Sequence, residues 1–220
     1  MGYLAEVAYI AAVCFFSHIL HKCLGVRPAI TRKLTHILIG FVFPIQSYFF
    51  REDAIGLIAV PLAVTALLFL VARFRLVPSM VNPENPYGIF FYALSILLSN
   101  IVCIFYPPYH AAAGAAIACL ALGDGAAALM TAGLSRRHRL FGEKTIEGTL
   151  FCVLFSALGM LALGLAFPAL ALSPLTLIAA ALLSGITELF CGRLDNLAIV
   201  FGVGLFVVLC RLPSFGGAAC

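Results

Sequence analysis

The sequence predicts an all-α fold, a polytopic transmembrane helical bundle of seven or eight spans, and three observations predict it. Only 10% of the 220 residues are charged and 64% are hydrophobic, where a soluble domain carries about 25% charged residues. The mean hydropathy is +1.14. The charges also cluster, and the apolar runs between clusters are long enough to cross ~30 Å of hydrocarbon as helices. These runs fall at 3–20, 34–50, 54–72, 87–105, 111–134, 149–167, 174–190 and 197–212. The gaps are short, so 1–220 reads as a single integral membrane domain whose chemistry must come from helix ends and loops.

The first run carries Glu6 and His18 and continues to His21 and Lys22. Without a basic leader or a small-residue cleavage site it reads as a span rather than a signal peptide. The second opens on "RKLTH" (32–36), and the fourth follows a turn, "PENPYG" (83–88). Ser95, Ser99 and Asn100 of the fourth run read, like Glu6, as partners in hydrogen bonds between helices. The fifth begins with small residues suited to close packing and holds Asp124 between Gly123 and Gly125. At 1.5 Å per residue it is longer than a crossing needs, which predicts a broken or tilted helix end at Asp124. The seventh ends at Glu188, and Asp195-Asn196 opens the eighth, beside Arg193. Of the eight cysteines, Cys14, Cys103, Cys119, Cys152 and Cys210 sit inside apolar runs and no C-x-x-C occurs, so they read as packing residues.

Lys and Arg asymmetry sets orientation. With the N-terminus outside, the inner loops hold Lys22, Arg27, Arg32, Lys33, Arg73, Arg75, Arg136, Arg137, Arg139, Lys144 and Arg193, leaving Arg51 and Arg211 opposite. The same arrangement puts "RKLTH", the 136–147 loop, Glu188 and Asp195 at the cytoplasmic face, as one active site there would require. Basic loops also suit anionic lipid headgroups.

Asp124 is the residue least easily assigned to packing, because a carboxylate at mid-membrane costs ~2.5–3.5 kcal/mol on insertion scales. The stretch "FGEKTIEG" (141–148) lies where a helix begins, and helix N-termini bind anions. Gly142 permits close backbone approach, Lys144 adds a point charge, and Thr145 suits a cap or a phosphate contact. Glu143 and Glu147 are four apart, on one helical face. Acids beside a phosphate cradle imply a divalent cation. A Walker A loop is excluded, since Glu143 separates Gly142 from Lys144 and no strand is expected there. His36 suits a general base or phosphate ligand, one turn after Arg32.

Together these stretches resemble the polyprenol/phytol/diacylglycerol kinase family of integral membrane lipid kinases, of which dolichol kinase is one. The matching segments are "RKLTHILIGFVFP" (32–44), "YGIFFYALSILL" (87–98), "LGDGAAALMTAG" (122–133), "FGEKTIEGTL" (141–150) and "TELFCGRLDNLAIV" (187–200). The chain departs from the family pattern at Leu194, where an aspartate is usual, and lacks the usual proline after "DNL".

The resemblance implies transfer of the γ-phosphate of CTP, or ATP, to a membrane lipid alcohol at the cytoplasmic face. For that reaction the residues suggest Mg²⁺ held by Asp124 with Glu143, Glu147 or Glu188, and catalytic roles for Asp124, Lys144 and, as acceptor of the hydroxyl proton, His36 or Asp195. Nucleotide binding falls to Gly123, Gly125, Arg139, Gly142, Lys144, Thr145, Gly148, Arg32 and Lys33. The partners are the lipid alcohol, the nucleotide and the bilayer, with no nucleic acid. Two other readings are a phosphatidate cytidylyltransferase, whose family carries a similar "KTxEG" segment, and an ion-coupled transporter using Asp124, Glu188 and His36. A CDP-alcohol phosphotransferase fits less well, because its spaced aspartates are missing after Asp124-Gly125.

Overall fold

The computed structural model describes residues 2–50, 53–77, 85–142 and 144–212, apart from the Arg193 side chain. These residues are nearly all helical and gather into two compact units, Met1–Ile104 and Phe105–Cys220.

The first unit contains α1 (Gly2–Lys22), α2 (Pro28–Ile39), α3 (Val42–Phe49), α4 (Ala54–Phe74) and α5 (Gly88–Phe105). Helix α1 packs on α2, α3 and α4. The run at 34–50, expected as one span, is two helices meeting at Gly40–Phe41. The reason is Pro44, which has no N–H to give the Gly40 carbonyl and whose ring crowds it. Gly40 and Phe41 close tighter turns instead, donating to the Ile37 and Leu38 carbonyls at 3.2 and 3.0 Å. Pro61 lies inside α4 and likewise leaves the Leu57 carbonyl without its helical donor. Asn100 of α5 supplies the missing donor, its Nδ2 lying 2.9 Å from that oxygen.

In the second unit α6 (Tyr109–Ala118), a π-helical segment (Cys119–Asp124) and α7 (Gly125–Ala132) form one continuous helix. The expected break at Asp124 is therefore a widening of the helix, not an end. Next come strands β1 (Arg139–Phe141) and β2 (Lys144–Thr145), then α8 (Ile146–Ala166), α9 (Pro174–Phe190) and α10 (Asp195–Arg211). Helix α8 packs on the π segment, α7 and α9, and α10 packs on α6 and α9.

The antiparallel β1–β2 ribbon corrects the expectation that no strand occurs here. It turns at Gly142, whose φ of +54° carries no Cβ penalty in glycine. The Walker A exclusion still holds, since it rests on the spacing of Gly142, Glu143 and Lys144.

Five helical stretches are long and apolar enough to cross a membrane: α1, α4, α5, the continuous Tyr109–Ala132 helix and α8. Helix α9 is apolar but shorter, with 17 residues. The faces confirm the solvent these helices are built for. On α8, Cys152, Ser156, Gly159 and Met160 are buried while Leu150, Leu154, Leu158, Leu161 and Leu165 point outward. On α9, Ala180, Ala181, Ser184, Gly185 and Glu188 are inside and Leu175, Ile178, Leu182 and Ile186 outside. Small and polar side chains inward with large aliphatics outward is membrane packing, because lipid gives leucine no reason to hide. The chain is an integral membrane protein.

Candidate functional site

The second unit draws acids from three chain segments to one lysine. Lys144 stands on β2, where the ribbon folds back on the start of α8. Its Nζ donates to Glu188 Oε1 of α9 and lies 3.7 Å from Asp195 Oδ2 at the start of α10. The charge of Asp124, at the end of the π segment, also acts on it. Asp124 and Glu188 are buried, and Glu188 Oε2 has no hydrogen-bond partner among the described residues. Three carboxylates thus act on one ammonium.

Burial pulls the Lys144 pKa down. The charge and hydrogen bond of Glu188, followed by the charges of Asp124 and Asp195, outweigh burial and hold the ammonium above its ordinary 10.5. A lysine raised in the folded state contributes stability that is fully present below the unfolded pKa and lost as pH climbs through the folded one. Melting temperatures of the wild type and Lys144→Met, followed from about pH 8 to pH 12, are expected to converge only above about pH 10.4. A constant gap across that range would refute the assignment.

Two local features bring Asp124 and Glu188 together. A Cβ on Gly123 would run into Ser156 Oγ and lie 3.2 Å from the Cys152 carbonyl, so glycine there lets the π segment approach α8. The wider π turn also occurs chiefly at functional positions in helices. Beside the acids runs a buried polar chain. Ser156 Oγ donates to Ser184 Oγ at 3.1 Å, and Cys152 Sγ lies 3.8 Å from the same oxygen. Cys119 bonds to both serines. Cys119 and Cys152, read from sequence as packing residues, also serve as weak polar partners.

The first turn of α8 differs from the expected anion cradle. Thr145 caps it, accepting the Gly148 N–H at 3.1 Å, and the Ile146 N–H donates to the His138 carbonyl at 2.9 Å. Glu147 accepts the His138 N–H at 3.1 Å and meets its ring Nδ1 at 2.5 Å. The Ile146 and Gly148 N–H groups of the helix start are thus engaged within the protein, and Glu147 is bonded to His138. Thr145→Ala removes the cap and is expected to cost about 1 kcal/mol, about 2–4 °C in Tm by calorimetry or fluorescence. An unchanged Tm would mean the cap is redundant with the ribbon.

Sequence reasoning missed His138. It precedes Glu147 by nine residues, a separation no helical period relates, and only the folded ribbon makes them neighbours. Arg139 stands on β1 opposite Thr145, and Gly125 is buried at the start of α7. Asp195 also accepts the Asn196 N–H at 2.9 Å, helping to start α10. Glu143 lies outside the described residues. Arg32, Lys33 and His36 belong to α2 of the first unit, where the His36 ring sits 4.1 Å from that of Tyr92. The Tyr92 hydroxyl donates to the His36 carbonyl at 2.8 Å.

Among the described residues no group of three or more His, Cys, Asp or Glu side chains is placed to hold a metal ion by itself. Mg²⁺ is usually held by one or two carboxylates, with water and phosphate oxygens completing its shell. Asp124 and Glu188, the latter with a buried oxygen lacking a partner, fit that pattern. No protein-family model, curated protein or solved structure matches the chain.

Proposed function

We propose that the chain is a lipid kinase, transferring the γ-phosphate of CTP or ATP to the hydroxyl of a membrane lipid alcohol. Polyprenols, phytol, other isoprenoid alcohols and diacylglycerol are the candidate acceptors. One observation carries the reading: Lys144 is gathered with Asp124, Glu188 and Asp195 from separate segments of a membrane-embedded unit. Phosphoryl transfer asks a protein for charge neutralisation and positioning more than for covalent chemistry. A charged lysine beside buried carboxylates supplies both, and "GDG" with "KTIEGT" is the sequence pair that resembles the kinases.

Lys144 would leave Glu188 to hold oxygens of the transferring group, with Arg139 as a second cation. Asp124 and Glu188 would hold Mg²⁺, which when bound neutralises phosphate charge. The alcohol's proton would pass to Asp195. The working topology keeps the N-terminus outside, seven or eight spans and the site at the cytoplasmic face, so the alcohol reaches it from the bilayer.

The test is purified protein with Mg²⁺ and γ-labelled CTP or ATP, presented with polyprenols, phytol, farnesol and diacylglycerol. Label in one lipid identifies the acceptor. Cytidine incorporation from CTP and phosphatidic acid, without γ-label in any alcohol, would replace the kinase with a cytidylyltransferase. No transfer by folded, metal-supplied protein would overturn both.

A further inference from the structure

The first unit buries a second ionisable cluster, unrelated to the proposed kinase chemistry. Glu6 of α1, Gln46 of α3 and Asn100 of α5 are each at most 1% exposed. Gln46 Nε2 donates to Glu6 Oε1 at 2.5 Å, and Asn100 Nδ2 donates to Gln46 Oε1 at 2.8 Å and to the Leu57 carbonyl at 2.9 Å. Side chains and backbone of four helices thus meet in one chain of hydrogen bonds. Two acceptors in it have no partner among the described residues, Glu6 Oε2 and Asn100 Oδ1.

An ionised glutamate here would be a buried charge with one neutral hydrogen bond, a state proteins avoid by pairing or neutralising the group. No described cation pairs with Glu6. The ionisable groups of the neighbouring elements are Arg32, Lys33 and His36 of α2, Tyr48 of α3, Asp53 and Arg73 at the two ends of α4, and Tyr92 and Cys103 of α5. On α1 itself, Tyr3 gives its hydroxyl to Asp53 and Tyr9 gives its own to the Leu38 carbonyl. A metal ion is poorly served, since two free oxygens fall short of the six or more ligands a hard cation takes. A proton on Glu6 Oε2 turns an orphan acceptor into a donor, and Asn100 Oδ1 in the same chain of hydrogen bonds is an acceptor lacking one.

We propose that Glu6 is a proton-binding site inside the membrane, holding its carboxyl neutral and donating Oε2–H to Asn100 Oδ1. The proton closes the ring Glu6–Gln46–Asn100 and ties α1 to α3, α4 and α5. Losing it leaves a buried anion and frees α1 from the unit.

Glu6→Gln decides the matter, because a carboxamide offers the same donor as the protonated acid but never a charge. Purified full-length protein at neutral pH should show the infrared carbonyl band of a protonated carboxylic acid, absent from E6Q. The Tm of E6Q should stay within about 2 °C of wild type, whereas E6A, with Gln46 and Asn100 unpaired, should fall by at least about 4 °C. Asn100→Ala should shift the acid band by removing its acceptor. No difference between wild type and E6Q in the protonated-acid carbonyl band would show that Glu6 is ionised and overturn the proposal.

Discussion

Lys144→Met is expected to lower label transfer to the lipid by about 10²–10³-fold, the loss typical when one preorganised charge partner of a reacting group is removed. It is also expected to destabilise the second unit by about 1–3 kcal/mol, because Glu188 loses the ammonium that donates to it. The two effects separate in a double variant. K144M/E188L removes the ion pair from both sides and should recover most of the lost stability, as replacing buried pairs by apolar residues does elsewhere. It should recover none of the transfer. Lys144→Arg should fold but transfer poorly, since the planar guanidinium cannot take the place of a compact ammonium at this site. Wild-type transfer by K144M would remove Lys144 from the chemistry.

Asp124→Asn comes next in expected effect. The amide keeps the shape and some hydrogen bonding of the acid but not its charge, so the fold should hold while transfer drops by about 10²-fold or more. A readout independent of turnover is ligand-linked stability. A ligand present at 100 times its dissociation constant stabilises by about 2.7 kcal/mol. Wild-type Tm should therefore rise with Mg²⁺ and CTP together, and that rise should vanish in D124N. A full rise in D124N would assign Asp124 to structure, as a buried acid held by its own helix bundle.

The membrane class was open to inspection in the sequence because lipid imposes it residue by residue. A charge inside the bilayer is costly at any position in any fold, so charges retreat to loops and composition reveals the membrane class. Asp124 and Glu188 could be singled out for the same reason, as acids whose burial demands an explanation. Proline rules were legible too, although they were not used at Pro44, where the ring splits the 34–50 run into α2 and α3.

What only tertiary structure decided is who meets whom. Lys144, Glu188 and Asp195 are 44 and 51 positions apart from the lysine, read directly from their numbers, and no periodicity links them. The ribbon that carries Lys144 also brings Glu147 to His138, and Thr145 and the His138 carbonyl engage the α8 N-terminus. In the first unit, Glu6, Gln46 and Asn100 each look like isolated polar residues until the Pro61-freed carbonyl of Leu57 draws Asn100 inward. Local sequence determines the cost of burying each polar group; three-dimensional packing alone determines which partner meets that cost, because helix contacts join residues the chain keeps far apart.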